Sequence, residues 1–411
     1  MGAIHHFAAV ALACLIPSAL AAQVVLPDGT VIPSDAVRRA PPACDRGDAL
    51  ACLVTGFGAL EGRTQMVDVD DAAAAFRKAC DLGSGIGCER EAFIASYRLD
   101  KAQDLPLAEA RRKQAAAILA KTCDTGNPLA CQWLGTMLEG QSAMQDQPRA
   151  VSLYAKACFD HGFGVACRDG HRLTSLSVSA VRDEAAAARF EAAAETAMDA
   201  ECRAGKAGAC IVLAQWVRQQ RGEAEAFYIA ELGEKACDGG VAEGCMIAGD
   251  LVNRLEEGTA GRAKRFSLFE RACWMRQADC TSIADIMRNR PAWQETDHNT
   301  VFVFDMRACT GGVEEACWLM FDYGNQIRPF DVDPFIMAFD HACLKLLRPS
   351  AELCATAAKN HAERANAIPA GAAADRAEAR RLYTRALELP EDEEYQPYAH
   401  TQAREFLAAA S

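Results

Sequence analysis

Apolar and small residues recur at helical spacing in short stretches of this chain, and a cysteine closes each stretch. Before Cys80, Cys158, Cys273 and Cys343 stand Phe76-Arg77-Lys78-Ala79, Tyr154-Ala155-Lys156-Ala157, Phe269-Glu270-Arg271-Ala272 and Phe339-Asp340-His341-Ala342. An aromatic four positions before the cysteine shares its helix face. The alanine is small enough for a point where two helices touch, and a Lys or Arg in a last helical turn suits the negative end of the dipole. Three or four positions after the first cysteine come Gly83, Gly126, Gly162, Gly205, Gly240 and Gly312. Directly before a second cysteine stand Gly87, Ala130, Ala166, Ala209, Gly244 and Ala316.

The stretch Lys235-Ala236-Cys237-Asp238-Gly239-Gly240-Val241-Ala242-Glu243-Gly244-Cys245 shows what the pattern demands. In one continuous helix the two cysteine Cα atoms would lie about 12 Å apart, whereas a disulfide needs roughly 4.4–6.8 Å. Either the thiols stay unpaired or the chain turns between them. Glycine readily takes the positive φ that ends a helix, so the glycines favour the turn. The stretch reads as helix A, a tight elbow stapled by a disulfide, and helix B.

The cysteines fall into close neighbours along the chain. Cys44 stands with Cys52, Cys80 with Cys88, Cys123 with Cys131, Cys158 with Cys167, and Cys202 with Cys210. Cys237 stands with Cys245, Cys273 with Cys280, Cys309 with Cys317, and Cys343 with Cys354. Successive first cysteines are 36, 43, 35, 44, 35, 36, 36 and 34 residues apart. A period near 35 is the length of one two-helix solenoid repeat. The two long steps carry insertions of about two helical turns, containing Asp104-Leu105-Pro106-Leu107 and Thr174-Ser175-Leu176-Ser177. These either enlarge a loop or extend helix A, as a tolerated surface feature or as part of a binding face. The elbows at Cys273 and Cys280 and at Cys343 and Cys354 lack the glycine and must be built differently.

Residues 22–43 read as an extended arm with a turn at Pro27-Asp28-Gly29-Thr30. Pro41 and Pro42 are expected to keep a full helix from reaching Cys44, leaving a truncated opening unit. Residues 44–365 form the repeats. Residues 366–411 read as a closing helical hairpin: a cysteine-free helix around Asp375–Leu389, then a second helix opened by Pro390 with Glu391–Glu394 in its first turn.

Abundant Ala with few β-branched and aromatic residues favours helix over sheet. A formal charge of −13 argues against a nucleic-acid partner. Residues Phe7–Ile16 are apolar and Ala19-Leu20-Ala21 resembles a cleavage site, so residues 1–21 read as a secretory signal, although the n-region has His5 and His6 in place of Lys or Arg. Ala11-Leu12-Ala13-Cys14 is a weak match to a lipoprotein box. The apolar run is too short to span a membrane. Of 19 cysteines, 18 remain without Cys14, an even number that indicates a disulfide framework in an exported chain.

The Lys-Ala-Cys-Asp-x-Gly pattern followed by Gly or Ala and Cys resembles the cysteine-rich branch of the SEL-one-like repeat proteins, relatives of the tetratricopeptide repeats, over about residues 44–355. That resemblance implies an all-α fold, a right-handed αα-solenoid of about nine two-helix repeats with a C-terminal cap. It also implies one disulfide per repeat, pairing each cysteine with the neighbour given above. Members of the family act as scaffolds and adaptors for protein assembly, and some bacterial members are described as penicillin-binding with weak β-lactam hydrolysis.

Residue chemistry offers little to an enzyme reading. No Cys-x-x-Cys occurs, which speaks against structural zinc, a thioredoxin-like centre and c-type haem. No serine has a lysine three positions on, as a serine β-lactamase requires, and Gly-x-Ser-x-Gly is absent. His161, His171, His298, His341, His361 and His400 are dispersed and match no metal motif. His161 and His341 read as solvated, and no metal, cofactor or catalytic residue is assigned. Trp133, Trp216, Trp274 and Trp318 lie in or near elbows and B helices, either as packing between repeats or as an aromatic strip for a peptide or glycan. The first reading is an exported scaffold in the bacterial periplasm or outside the cell, binding a protein or peptide. The second is a weak penicillin-binding or β-lactam-hydrolysing protein, and the third binds cell-wall glycan.

Overall fold

The computed structural model describes residues 24–26, 30–32, 34–60, 67–97, 103–140, 144–177, 179–255, 258–276, 279–288, 298–324, 332–346, 349–390 and 398–409. The leader, with Cys14, lies outside them, as do residues 27–29 and the acidic run Glu391–Glu394. A two-residue β-ladder pairs Val24 with Ile32 and Val25 with Val31, and the rest of the described regular structure is helical.

Helices follow one another as A/B hairpins. They are Ser34–Asp45 with Ala49–Leu60, Val69–Asp81 with Gly85–Tyr97, Leu105–Asp124 with Pro128–Glu139, and Gln147–Ala155 with Gly164–Ser175. Next come Glu184–Arg203 with Ala207–Arg221, Ala226–Asp238 with Ala242–Leu255, and Gly258–Met275 with Cys280–Arg288. His298–Thr310 with Glu314–Gly324, and Val332–Lys345 with Ala351–Ala367, complete nine units, and Ala372–Glu388 with Tyr398–Ala409 closes the array. Each helix packs chiefly on the helices before and after it, the contact pattern of an αα-solenoid.

Every unit carries a disulfide between its own A segment and B helix. Cys44 is bonded to Cys52, Cys80 to Cys88, Cys123 to Cys131, Cys158 to Cys167, and Cys202 to Cys210. Cys237 is bonded to Cys245, Cys273 to Cys280, Cys309 to Cys317, and Cys343 to Cys354. Across the nine bridges the Cα atoms lie 4.3–4.8 Å apart. The second cysteines Cys52, Cys88, Cys131, Cys167, Cys210 and Cys317 all sit in the first turns of their B helices, buried against the A helix they staple.

The elbow glycine works through backbone freedom. Gly83 sits at φ +91° with open space where a Cβ would go, and Gly47, Gly126, Gly162, Gly205, Gly240 and Gly312 also take positive φ. Between Cys158 and Cys167, one residue longer than most, the extra residue is absorbed by a π-helical turn at Lys156–Asp160. Where the glycine is missing, side chains close the elbow. Arg276 pairs with Asp279 at 2.7 Å before Cys280, and Ser350 caps the helix of Cys354 by accepting from the Leu353 amide at 3.1 Å.

Both long steps extend helix A. Leu105–Asp124 and Glu184–Arg203 each have 20 residues, against 13 in Val69–Asp81 and Ala226–Asp238. Asp104 caps the first by accepting from the Leu107 amide, and Asp183 caps the second through the Ala185 and Ala186 amides. The opening unit corrects the expectation of an extended arm reaching to residue 43, because the helix Ser34–Asp45 runs through Pro41 and Pro42. Proline withholds an amide from the helical ladder and crowds the preceding turn. Here Val37, Ala40 and Cys44 nevertheless form a buried stripe against the second helix, and that tertiary burial outweighs the local cost.

Successive units lock by a knob in a socket. The buried rings of Phe76, Tyr154 and Phe269 seat on Gly56, Gly135 and Gly249 of the preceding B helix, where an added Cβ would fall 2.5–2.6 Å from a ring carbon. Phe190 seats on Gly170 in the same way. The array also returns on itself: Val67 joins the core of the last three units, and Lys345 Nζ lies 2.7 Å from Asp68 Oδ2, 277 residues away. Asp68 also caps Val69–Asp81 through the Asp70 and Asp71 amides.

In an open helix Gly→Ala stabilises by about 1 kcal/mol. At the socket the sign reverses: Gly135→Ala should cost about 1–3 kcal/mol through overpacking, read as a lowered urea midpoint of the oxidised protein. Gly140→Ala, where no atom lies within 4 Å, should leave the midpoint in place.

Candidate functional site

One register of the A helices faces outward along the whole stack, six positions before the first cysteine. The opening unit has Arg38 there, and the eight units after it have Ala74, Ala117, Ser152, Thr196, Glu231, Ser267, Val303 and Met337, all exposed. The position stands two residues, about 200° of helical rotation, from the buried aromatic position, so it must face away from the core. Seven of the eight side chains from Ala74 to Met337 are uncharged, in a chain where 24% of residues are charged. At the end of the lane Val303 and Met337 are 42% and 46% exposed. Beside the first units Val37, Pro41, Val54 and Ala75 help line a groove of about 330 Å³, with Asp45, Asp71 and Lys78 in its walls.

Beside this lane a charge link recurs between neighbouring units. At three of the eight junctions the cation two positions before a first cysteine reaches the residue just after the first cysteine of the preceding unit. Lys78 meets Asp45 at 3.0 Å, Lys156 meets Asp124 at 3.5 Å, and Arg271 meets Asp238 at 2.9 Å. These pairs are exposed on at least one side, so each contributes about 0–1 kcal/mol and acts chiefly to set the register of neighbouring units. In the next unit tryptophan replaces the aspartate, and the Arg307 guanidinium lies 4.5 Å from the Trp274 ring centroid. The signal was present in Lys-Ala-Cys-Asp, as opposite charges about 33 residues apart. Local helix geometry ties the lysine to its own helix dipole and carries no sign of the partner in the preceding unit.

That link changes the reading of the tryptophans. Trp274 is partly buried with Arg307 over one face. Trp133 is partly buried under Arg90, and Trp318 packs edge-on against Phe339. Trp216 is 3% exposed and meets the His171 ring edge-on, so it presents no face to a peptide or glycan. The four do not form one exposed strip.

Histidines depart further from expectation. His341 occupies the cation position of its unit but is buried, because the returning Val67–Asp68 segment covers it. Burial lowers its pKa from 6.5 against an opposing hydrogen bond to the Val67 backbone and the charge of Asp68. His361, also buried, sits where the last stapled unit meets the cap. Its Nδ1 lies 2.9 Å from Asp375 Oδ1 and its Nε2 2.9 Å from Asp340 Oδ2. Burial alone would lower its pKa, but the hydrogen bonds to Asp340 and Asp375 outweigh burial, and the value is raised above 6.5. Arg364 grips Asp375 through Nε at 3.0–3.1 Å and reaches Asp333 at 2.7 Å, holding Asp375 below the usual carboxylate range.

At the same joint one of the dispersed histidines meets two carboxylates. Single ligand atoms of Asp340, His361 and Glu378 lie within 4.8 Å of one another. They come from three helices, 21 and 17 residues apart in sequence, so no local motif announces them. A second buried charge station joins the seventh and eighth units, where Arg288 Nη1 meets Asp305 at 2.7 and 2.5 Å. Burial there pushes the Asp305 carboxyl up to about 6 in spite of the arginine.

The two buried histidines should shape stability in opposite directions. His361, raised, adds stability that is present below about pH 6.5 and lost as pH rises through its folded value. His341, lowered, costs stability as pH falls below 6.5, where the unfolded chain takes up the proton first. Urea midpoints measured in EDTA from pH 5 to 9 should show His361→Gln flattening the alkaline fall and His341→Leu flattening the acid fall.

No family model and no curated protein matches the chain. Among solved structures it is similar to c5321, a protective antigen present in uropathogenic Escherichia coli strains and displaying an SLR fold. Identity is 15% and the TM-score 0.41, over 90% of this chain and 74% of that one. It is also similar to a Sel1 repeat protein from Oxalobacter formigenes, at 17% identity and a TM-score of 0.41, over 74% of this chain and 85% of that one. The paired helices and their staples carry the solenoid fold by themselves.

Proposed function

We propose that this chain is an exported scaffold that docks a protein or peptide partner along the A-helix face of its solenoid. The observation that carries the reading is the lane from Ala74 to Met337, where one outward register stays uncharged in seven of eight units. Uncharged side chains, most of them short, let a partner backbone approach without desolvating charge, and a stapled stack presents them at little ordering cost. Nine disulfides call for an oxidising compartment, which agrees with export through the leader at residues 1–21 to the bacterial periplasm or beyond. No helix among the described residues is long and apolar enough to cross a membrane.

A photo-crosslinking amino acid at Ala117 or Ser267 should capture one adduct of discrete mass in cells. The same group at Arg218, on an exposed B-helix position, should not. Equal capture at all three positions, or at none, would remove the lane as the docking face. The competing reading, weak β-lactam hydrolysis, lacks a Ser-x-x-Lys to activate a nucleophile. Oxidised protein is expected to turn over nitrocefin no faster than buffer.

A further inference from the structure

We propose that Asp340, His361 and Glu378 form a binding site for a divalent transition-metal ion of the zinc type. The site would pin the cysteine-free cap to the last stapled unit. The three residues sit on Val332–Lys345, Ala351–Ala367 and Ala372–Glu388, so an ion held by all three crosslinks three helices at once.

Three observations converge on a cation. The donor set is one imidazole and two carboxylates, a combination that suits zinc and its neighbours. Three protein donors also leave a fourth position for water or a partner's ligand. Mutual separations within 4.8 Å are close to what such an ion needs. Zinc bonds of 2.0–2.2 Å in tetrahedral geometry place donors about 3.4 Å apart. The carboxylates of Asp340 and Glu378, 25% and 30% exposed, have room to close the difference.

The imidazole is already oriented for the task. Asp375 holds Nδ1, and Arg364 in turn holds Asp375, which directs Nε2 toward Asp340 and the metal position. A carboxylate on the far nitrogen is the usual support of a metal-bound histidine, since it fixes the tautomer and strengthens the donor. The formal charge also fits. Asp333, Asp340, Asp375 and Glu378 carry four negative charges, while Arg364 and Arg381, which pairs with Glu378, carry two positive ones. With His361 neutral the cluster is left at −2, the charge one dication cancels. Nε2 lies 2.9 Å from Asp340 Oδ2, and ligation requires the imidazole in its neutral form, so protons compete with the metal. The cysteines of all nine units are in disulfides and leave no thiolate to compete among the described residues.

The test uses the full oxidised protein without a histidine tag, with Zn²⁺ as the probe. Isothermal titration at pH 8 should give one saturable equivalent, released by EDTA, with Kd in the micromolar range or tighter, and affinity should fall as pH drops. Glu378→Gln and Asp340→Asn should each weaken binding by about 10-fold or more, and Asp375→Asn, which positions His361 without touching the ion, by about 10–100-fold. Circular dichroism of Glu378→Gln in EDTA should match the parent, which separates a lost ligand from a lost fold. Zinc should raise the melting temperature of the parent and leave that of Glu378→Gln in place. No saturable binding at one equivalent, or the same affinity in the parent and Glu378→Gln, would overturn the site. Neither outcome bears on the A-helix lane.

Discussion

Two Cα atoms held under 5 Å apart across an elbow decide what can stand beside them. At that separation the A and B helices of a unit touch backbone to backbone. A Cβ added at Gly87 would fall 2.7 Å from the Ala79 Cβ and 2.8 Å from the Cys80 amide, and one at Gly244 would fall 2.6 Å from the Ala236 Cβ. The small residue that stands before the first and second cysteines in most units follows from that close approach, while Thr122, Glu201, Asp279 and Leu353 take these places in the others. The crosslink restricts the unfolded chain, and its geometry also selects the small residues that let each hairpin close.

Closing the hairpin leaves its outer faces apolar, and the stack exists because neighbours cover them. Two chemistries of cover recur: an aromatic ring seated on a helical glycine, and a cation reaching the residue after the preceding unit's cysteine. Toward the C-terminus the second chemistry is rewritten one element at a time. Aspartate becomes Trp274 under Arg307, and the cation becomes His341 under the returning Val67–Asp68 segment. Trp274 and Arg307 are partly buried and His341 is buried, where the other links are more exposed.

The cap is joined differently. It has no cysteine: Leu382, Tyr383 and Ala386 join the apolar core of the last unit, and beside that packing the buried His361 sits between two carboxylates, with Arg364 and Arg381 balancing the charge. A covalent staple is indifferent to pH and ions within its compartment, whereas an imidazole between carboxylates responds to both. Nine units are fixed by sulfur, and the tenth hairpin is held by apolar packing together with groups that titrate.

The period, the elbow and the helix faces were legible in the linear order of residues, because each is a local matter. Phe76 and Cys80 share a face through helical geometry, Gly83 marks the turn through its backbone freedom, and a step near 35 residues sets one repeat. Extension of the A helices at Leu105 and Glu184 was one of two local solutions, and capping by Asp104 and Asp183 selected it. What the chain order could not show are contacts between units that no fixed spacing encodes. Burial carried a helix through Pro41 and Pro42, coverage by Val67 dried His341, and three helices brought Asp340, His361 and Glu378 to one point. Local propensity and spacing act over a few residues. Burial and charge depend on which distant surface arrives, and only the stacked array determines that.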